Sequence, residues 1–251
     1  MTQVTQRPTQ EHSGFIAAMR RSWERSLGSV SLLIVAACVV LFVGVRLADL
    51  LHIVSRQKSI YFFGLSFNAI YHNYWYHQFI TAPLLHVSVA HLLFNMLALW
   101  MLGPGVEKTL GRRRYLFFSA LCAGCSMLVF LAVSWGKGNV FLGYSTIIFG
   151  ILVAQAIFFP DSVISLFAFF PLKMKHAALL LGAVELYLTI SQEGHYAVHA
   201  AHVCGALAAF FYLRSSQWWS AFKARKKIVP DRQAIPKPIS RKSRGDIPRE
   251  L

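Results

Sequence analysis

Acidic side chains are scarce in this chain: ten Asp and Glu stand against twenty-five Lys and Arg, a formal net charge of +15. Such an excess could serve nucleic acid, but no folded nucleic-acid module is there to carry it. Cysteine is scarce too. Its four copies, Cys38, Cys122, Cys125 and Cys204, sit within or at the edge of apolar runs. Cys122 and Cys125 lie one helical turn apart, yet no second pair or nearby His completes a metal set, and they read as small apolar residues. An internal repeat is lacking, which argues against a transporter assembled from duplicated halves. A cleavable signal peptide is lacking as well: residues 1–28 are long and polar, and no small-residue site closes the apolar run that follows. That run reads as an uncleaved anchor.

What the chain has in plenty is apolar sequence, 56% of its residues, gathered in long runs and not in the amphipathic patterns of a soluble domain. Crossing the hydrocarbon takes roughly 20 mostly apolar residues as a helix. Six segments qualify, about 29–51, 83–103, 114–135, 141–159, 177–191 and 197–214; the fifth is short and holds Glu185. The expected fold class is an all-α polytopic membrane protein. Its parts are an N-terminal segment 1–28, a six-span domain 29–214 and a basic tail 215–251. Threading six spans leaves only Arg46, Arg56, Lys58 and Lys137 on the side opposite the termini. That asymmetry predicts cytoplasmic termini. The tail from Lys223 to Arg249, with scattered Pro and little apolar content, reads as disordered and drawn to anionic lipid headgroups. The outer connection 52–82 carries nine aromatic residues between Tyr61 and Phe79, so it is expected to lie partly immersed in the headgroup zone. The remaining outer links, 136–140 and 192–196, are short and contain Gly; the inner link 160–176 is punctuated by Pro160 and Pro171.

Polar side chains at membrane depth need a partner or a purpose. Ser145 lies a few residues into the fourth span and His202 a few residues into the sixth, and both spans run from outside to inside. Their first turns therefore sit at one level. Small residues follow each: Gly150 in the fourth span, and Gly205, Ala206 and Ala209 at i+3, i+4 and i+7 from His202, on one helical face. Small faces allow the close backbone approach that a Ser–His hydrogen bond requires. Serine is a poor nucleophile until a base takes its proton, and neutral imidazole is the usual base. In the second span His91 and Asn95 share a face, with His86 five residues earlier near the outer end. Each pair taken alone could be interhelical hydrogen bonding. Together they offer a nucleophile, a base and donors for an oxyanion.

The pattern His86-x4-His91-x3-Asn95, then Gly143-x-Ser145 with Gly150, then His202-x-x-Gly205, resembles the rhomboid family of intramembrane serine proteases. The stretches His91 to Trp100 and Gly105 to Arg112 are typical of that family, and the likeness spans roughly residues 70 to 214. It implies a six-helix rhomboid-like bundle with a half-immersed first outer loop, and a bacterial inner-membrane protein of the basic six-span form. It implies Ser145 as nucleophile, His202 as general base, and His91, Asn95 and the Ser145 amide as the oxyanion hole. Phe149 would pack against the catalytic histidine. His86, Gly143, Gly150 and Gly205 would support the site. The substrates would be single-pass transmembrane proteins with helix-weakening residues, and no metal or organic cofactor is implied. Such enzymes work as a Ser–His dyad; Glu185, the one acid clearly inside a span, could in principle be a third member, but its position in the fifth span is expected to be closer to the inner side. Two departures stand out. Gln78 takes the place of an arginine common in the first loop, and Thr146 replaces the usual Gly after the nucleophile. A pseudoenzyme that escorts membrane helices is the alternative the same resemblance allows; a small channel or transporter is suggested only by the six spans.

Overall fold

The computed structural model describes residues 28–166, 170–191 and 196–228. The N-terminal segment up to residue 27, residues 167–169, link residues 192–195 and residues from 229 on lie outside the described residues; of the expected tail 215–251, residues 215–228 instead continue the last helix, Tyr196–Ile228. A first compact unit ends at Leu213, and the described residues from Arg214 on belong to a second. The architecture is an all-α polytopic membrane bundle with two short strand pairs.

The first helix, α1 (Val30–Leu50), owes its start to a distant carboxylate. Glu107 accepts from the Val30 and Ser31 amides at 2.8 and 3.1 Å and from the Ser29 and Ser31 hydroxyls at 2.6 and 3.1 Å. A helix N-terminus presents unpaired N–H groups and a partial positive charge, and an acid from another element meets both. Glu107 belongs to α5 (Val89–Leu110), which packs along α1.

Between them the 52–82 connection is ordered into α2 (Arg56–Phe63), strand β1 (Leu65–Ser66), α3 (Phe67–Asn73), the single turn α4 (Gln78–Thr81) and a 3₁₀ turn at Ala82–Leu84. Three polar side chains from α4 and its edge hold the end of α2. Gln78 Nε2 donates to the Tyr61 and Phe62 carbonyls at 3.0 and 3.1 Å, His77 Nε2 meets the Phe62 carbonyl at 2.8 Å, and Thr81 donates to Phe63 at 2.6 Å. The last carbonyls of a helix have no intrahelical partner, and these side chains supply one. Gln78 Oε1 also accepts from the Ser66 amide, at 3.1 Å, and Gln78 is fully buried. The residue at the arginine position thus clamps the loop.

Gly111, at φ 78°, makes the turn from α5 into α6 (Arg112–Val133). After α6, strand β2 (Val140–Phe141) pairs antiparallel with β1, Leu65 opposite Phe141 and Ser66 opposite Val140. Helix α7 begins only at Ser145 and ends at Phe158, 14 residues. The expected span 141–159 is therefore too long: residues 140–144 are held by strand pairing and by a Gly143 amide bond to the Ala82 carbonyl at 2.9 Å. Non-helical backbone at membrane depth is tolerated when protein surrounds it. Phe141 and Tyr144 are correspondingly buried.

The inner link 160–176 is more regular than its prolines suggest, forming the antiparallel pair β3 (Val163–Leu166) and β4 (Phe170–Lys173). Then come α8 (Met174–Ser191) and α9 (Tyr196–Ile228). Four described helical segments are long and apolar enough to cross a membrane: Val30–Leu50, Val89–Leu110, Arg112–Val133 and Tyr196–Ser215. α7 is too short by that measure, and α8 is less apolar because it carries Lys175, His176 and Glu185. The flanks of the helices expose Val40, Leu93, Phe94, Phe117, Leu128, Leu179, Ile190 and Phe211. An apolar exterior of this extent belongs in lipid.

Candidate functional site

Helices α5, α7 and α9 all start at the same end of the bundle. Each places a polar residue in its first two turns. Ser88 caps α5, its hydroxyl accepting from the His91 amide at 3.1 Å, which sets His91 one turn into the helix and Asn95 one turn beyond. Ser145 is the first residue of α7. His202 lies in the second turn of α9.

The helices carrying Ser145 and His202 meet across glycine. A β-carbon at Gly205 would come within 2.6 Å of the Thr146 carbonyl oxygen and 2.8 Å of Ser126 Oγ. One at Gly150 would lie 2.7 Å from Cys122 Sγ and 3.4 Å from the Ala209 β-carbon. Only hydrogen fits at Gly205 without moving backbone. The reward of that closeness is a 2.7 Å hydrogen bond between Ser145 Oγ and His202 Nε2. Phe149, one turn along α7, stacks on the His202 ring with centroids 4.9 Å apart and planes 24° apart.

The second-span residues reach the same place. Gly143, at φ 106°, adopts a conformation that glycine favours, and a β-carbon there would sit 2.7 Å from His91 Cε1 and 3.8 Å from Asn95 Nδ2. His86 and His91 lie edge to face at 5.0 Å. Both nitrogens of His86, His91 Nδ1 and Asn95 Nδ2 are buried with no hydrogen-bond partner among the described residues. A buried polar atom left without a partner costs about 1–3 kcal/mol, so four in one place call for a reason. Thr146 is buried, 1% exposed, with its carbonyl against Gly205.

Glu185 is where the sequence reading misjudged. It was expected nearer the inner side, but α8 travels toward the serine end and Glu185 is six residues from its last residue, Ser191. At 1.5 Å per residue that is about 9 Å from that end and about 17 Å from Met174. Glu185 Oε2 meets His202 Nδ1 at 3.0 Å and His199 Nδ1 at 2.7 Å. His199 went unnoticed in the sequence, although it lies three residues before His202 on the same face of α9. The signal was present: a carboxylate inside an apolar helix, and two histidines at helical spacing.

Chemically, the arrangement is a hydroxyl hydrogen-bonded to an imidazole, near buried imidazole and amide nitrogens that have no partner among the described residues, recessed in a membrane bundle. Those features define a class: polytopic helical membrane proteins with an intramembrane Ser–His pair. The rhomboid domain matches residues 72–215, more than half of the chain, and the chain belongs to the rhomboid family. It is 27% identical over 193 residues to Rhomboid-like protein 15 of Arabidopsis thaliana, covering 64% of this chain and 46% of that protein. It is 32% identical over 110 residues to Rhomboid protease GlpG of Enterobacter sp. (strain 638), covering 43% of this chain and 36% of the relative. The matched stretch spans less than half the length of either relative.

Proposed function

We propose that this protein is an intramembrane serine protease that cleaves single-pass transmembrane proteins near the outer end of their helices. The observation that carries the reading is the 2.7 Å Ser145–His202 hydrogen bond in a chain of the rhomboid family. His202 Nε2 accepts the Ser145 hydroxyl proton as Oγ attacks the peptide carbonyl. The tetrahedral oxyanion is held by His91, Asn95 and the Ser145 amide, which has no intrahelical carbonyl to meet because Ser145 opens α7. His202 returns the proton to the leaving amine, and an acyl-enzyme remains. Water, deprotonated by His202, then hydrolyses the ester. Gly143, Gly150, Gly205, His86 and Phe149 shape and support the site.

The same reading makes the six apolar segments between residues 29 and 214 the membrane domain, with both termini in the cytoplasm of a bacterial cell and the aromatic 52–82 loop half-immersed on the outer side. The sorting of Lys and Arg supports that orientation.

The test is labelling with a fluorophosphonate probe in detergent and in lipid. The wild type should label, whereas Ser145→Ala and His202→Ala should not. Equal labelling of wild type and Ser145→Ala would sink the mechanism. No labelling of a folded wild type in either medium would favour a rhomboid-like pseudoenzyme that binds membrane helices without cleaving them.

A further inference from the structure

We infer that Glu185 is a positioning residue for His202, fixing the histidine's tautomer through a carboxylate oxygen it shares with His199. The inference rests on the protease reading for its consequence, though not for its geometry.

An ionised carboxylate only accepts hydrogen bonds. With Glu185 ionised, the 3.0 and 2.7 Å contacts of Oε2 put hydrogen on both His202 Nδ1 and His199 Nδ1. A neutral His202 protonated at Nδ1 has its lone pair at Nε2, the atom 2.7 Å from Ser145 Oγ. The tautomer able to take the serine proton is thus set from behind. Glu185 holds the ring at its edge while Phe149 covers its face, which leaves little freedom of rotation. When Nε2 gains the proton, the adjacent carboxylate stabilises the imidazolium, as the buried acid does in soluble serine proteases.

His199 has a part in this. A lone carboxylate in an apolar helix is costly, and a second N–H donor offsets part of that cost. The three side chains are little exposed, at 12% for Glu185, 17% for His199 and 11% for His202. Their ligating atoms also lie within 4.8 Å of one another, close enough to consider a metal ion. Distances decide between the two. Ligands about 2.0–2.1 Å from a tetrahedral zinc stand roughly 3.3 Å apart. The observed 2.7 and 3.0 Å are ordinary N–H···O separations.

The experiment compares full-length wild type, Glu185→Gln, Glu185→Ala and His199→Ala in lipid nanodiscs. Histidine ¹⁵N spectra report the His202 tautomer, the fluorophosphonate rate reports Ser145, and thermal unfolding reports the fold. Wild type should show His202 protonated at Nδ1 and bare at Nε2. Glu185→Ala should lose that pattern and label at least about tenfold more slowly, within the range of about 10⁴-fold set by the soluble-protease precedent. Formate, but not chloride, should restore part of the rate. Glu185→Gln keeps one accepting oxygen and should fall between; it also serves if the alanine variant does not fold. His199→Ala should keep the His202 Nδ1 proton, since the oxygen then serves His202 alone, and should unfold at a lower temperature because Glu185 loses its second donor. An unchanged His202 pattern, or an unchanged rate in both Glu185 variants, would overturn the inference. So would zinc-dependent, chelator-reversed shifts of the His199 and His202 ring nitrogens. A wild type that shows the tautomer yet never labels would count against the protease reading and leave the role of Glu185 in setting the tautomer standing.

Discussion

Gly205 is the residue on which the Ser145–His202 distance depends. A methyl group there meets the Thr146 carbonyl at 2.6 Å, so Gly205→Ala must push α7 and α9 apart. Overpacking of this kind costs about 1–3 kcal/mol, and a shift of about 1 Å can cost 10²-fold in rate. Gly205→Ala should therefore label far more slowly than wild type while its unfolding temperature falls only modestly. Asn95 offers a contrasting case. Its Nδ2 is buried without a partner among the described residues, so Asn95→Ala should not destabilise the protein; on the proposed mechanism, cleavage of a model transmembrane substrate should nonetheless drop about 10²–10³-fold. Unchanged stability with a loss of turnover would be the signature of a group kept for the transition state. Asn95→Ala with full cleavage would remove it from the oxyanion hole.

At the scale of elements, two polar junctions invite perturbation. Glu107 binds the N-terminus of α1 through four hydrogen bonds, while Ser31 Oγ lies 2.9 Å from the Tyr115 hydroxyl of α6. Glu107→Ala strips the cap of α1 and should lower stability by about 2–3 kcal/mol, measured as reversible unfolding in mixed micelles. At the β3–β4 hairpin, exposed Asp161 pairs with Lys175 at 2.9 Å and Lys173 at 3.3 Å. Its hydrogen bond to Lys175, and then that to Lys173, holds the carboxyl below its ordinary value. The folded state thus binds a proton less readily than the unfolded one. Whatever stability the pair adds is present above the unfolded carboxylate pKa and lost as pH falls through the folded one. The difference in unfolding temperature between wild type and Asp161→Asn should be small at pH 7 and vanish in acid. In high salt it should shrink as well.

At the scale of the whole molecule, the rough plan was open to sequence reading. Long apolar runs mark helices, and the common direction of the fourth and sixth runs brings Ser145 and His202 to one level. What stayed hidden depended on partners distant in the chain. The late start of α7 follows from the pairing of Val140–Phe141 with Leu65–Ser66, which no local periodicity reveals. The height of Glu185 depends on which end of α8 lies near the serine, which its position within the apolar run does not reveal by itself. Gln78 reads in the sequence only as a departure from an arginine, because its role lies in carbonyls 16 and 17 residues away. A fold of this kind should remain in the membrane pellet after an alkaline wash. Reporter fusions should place residue 72 on one face and residue 161 on the other.

The brevity of α7 has a consequence beyond the site. Fourteen residues rise about 21 Å, against a hydrocarbon thickness of about 30 Å. Every residue from 140 to 158 is buried or half-buried, so this helix and its strand-bound lead-in are sheathed by protein. The bundle can therefore hold a segment too short for the bilayer without drawing acyl chains in to meet it.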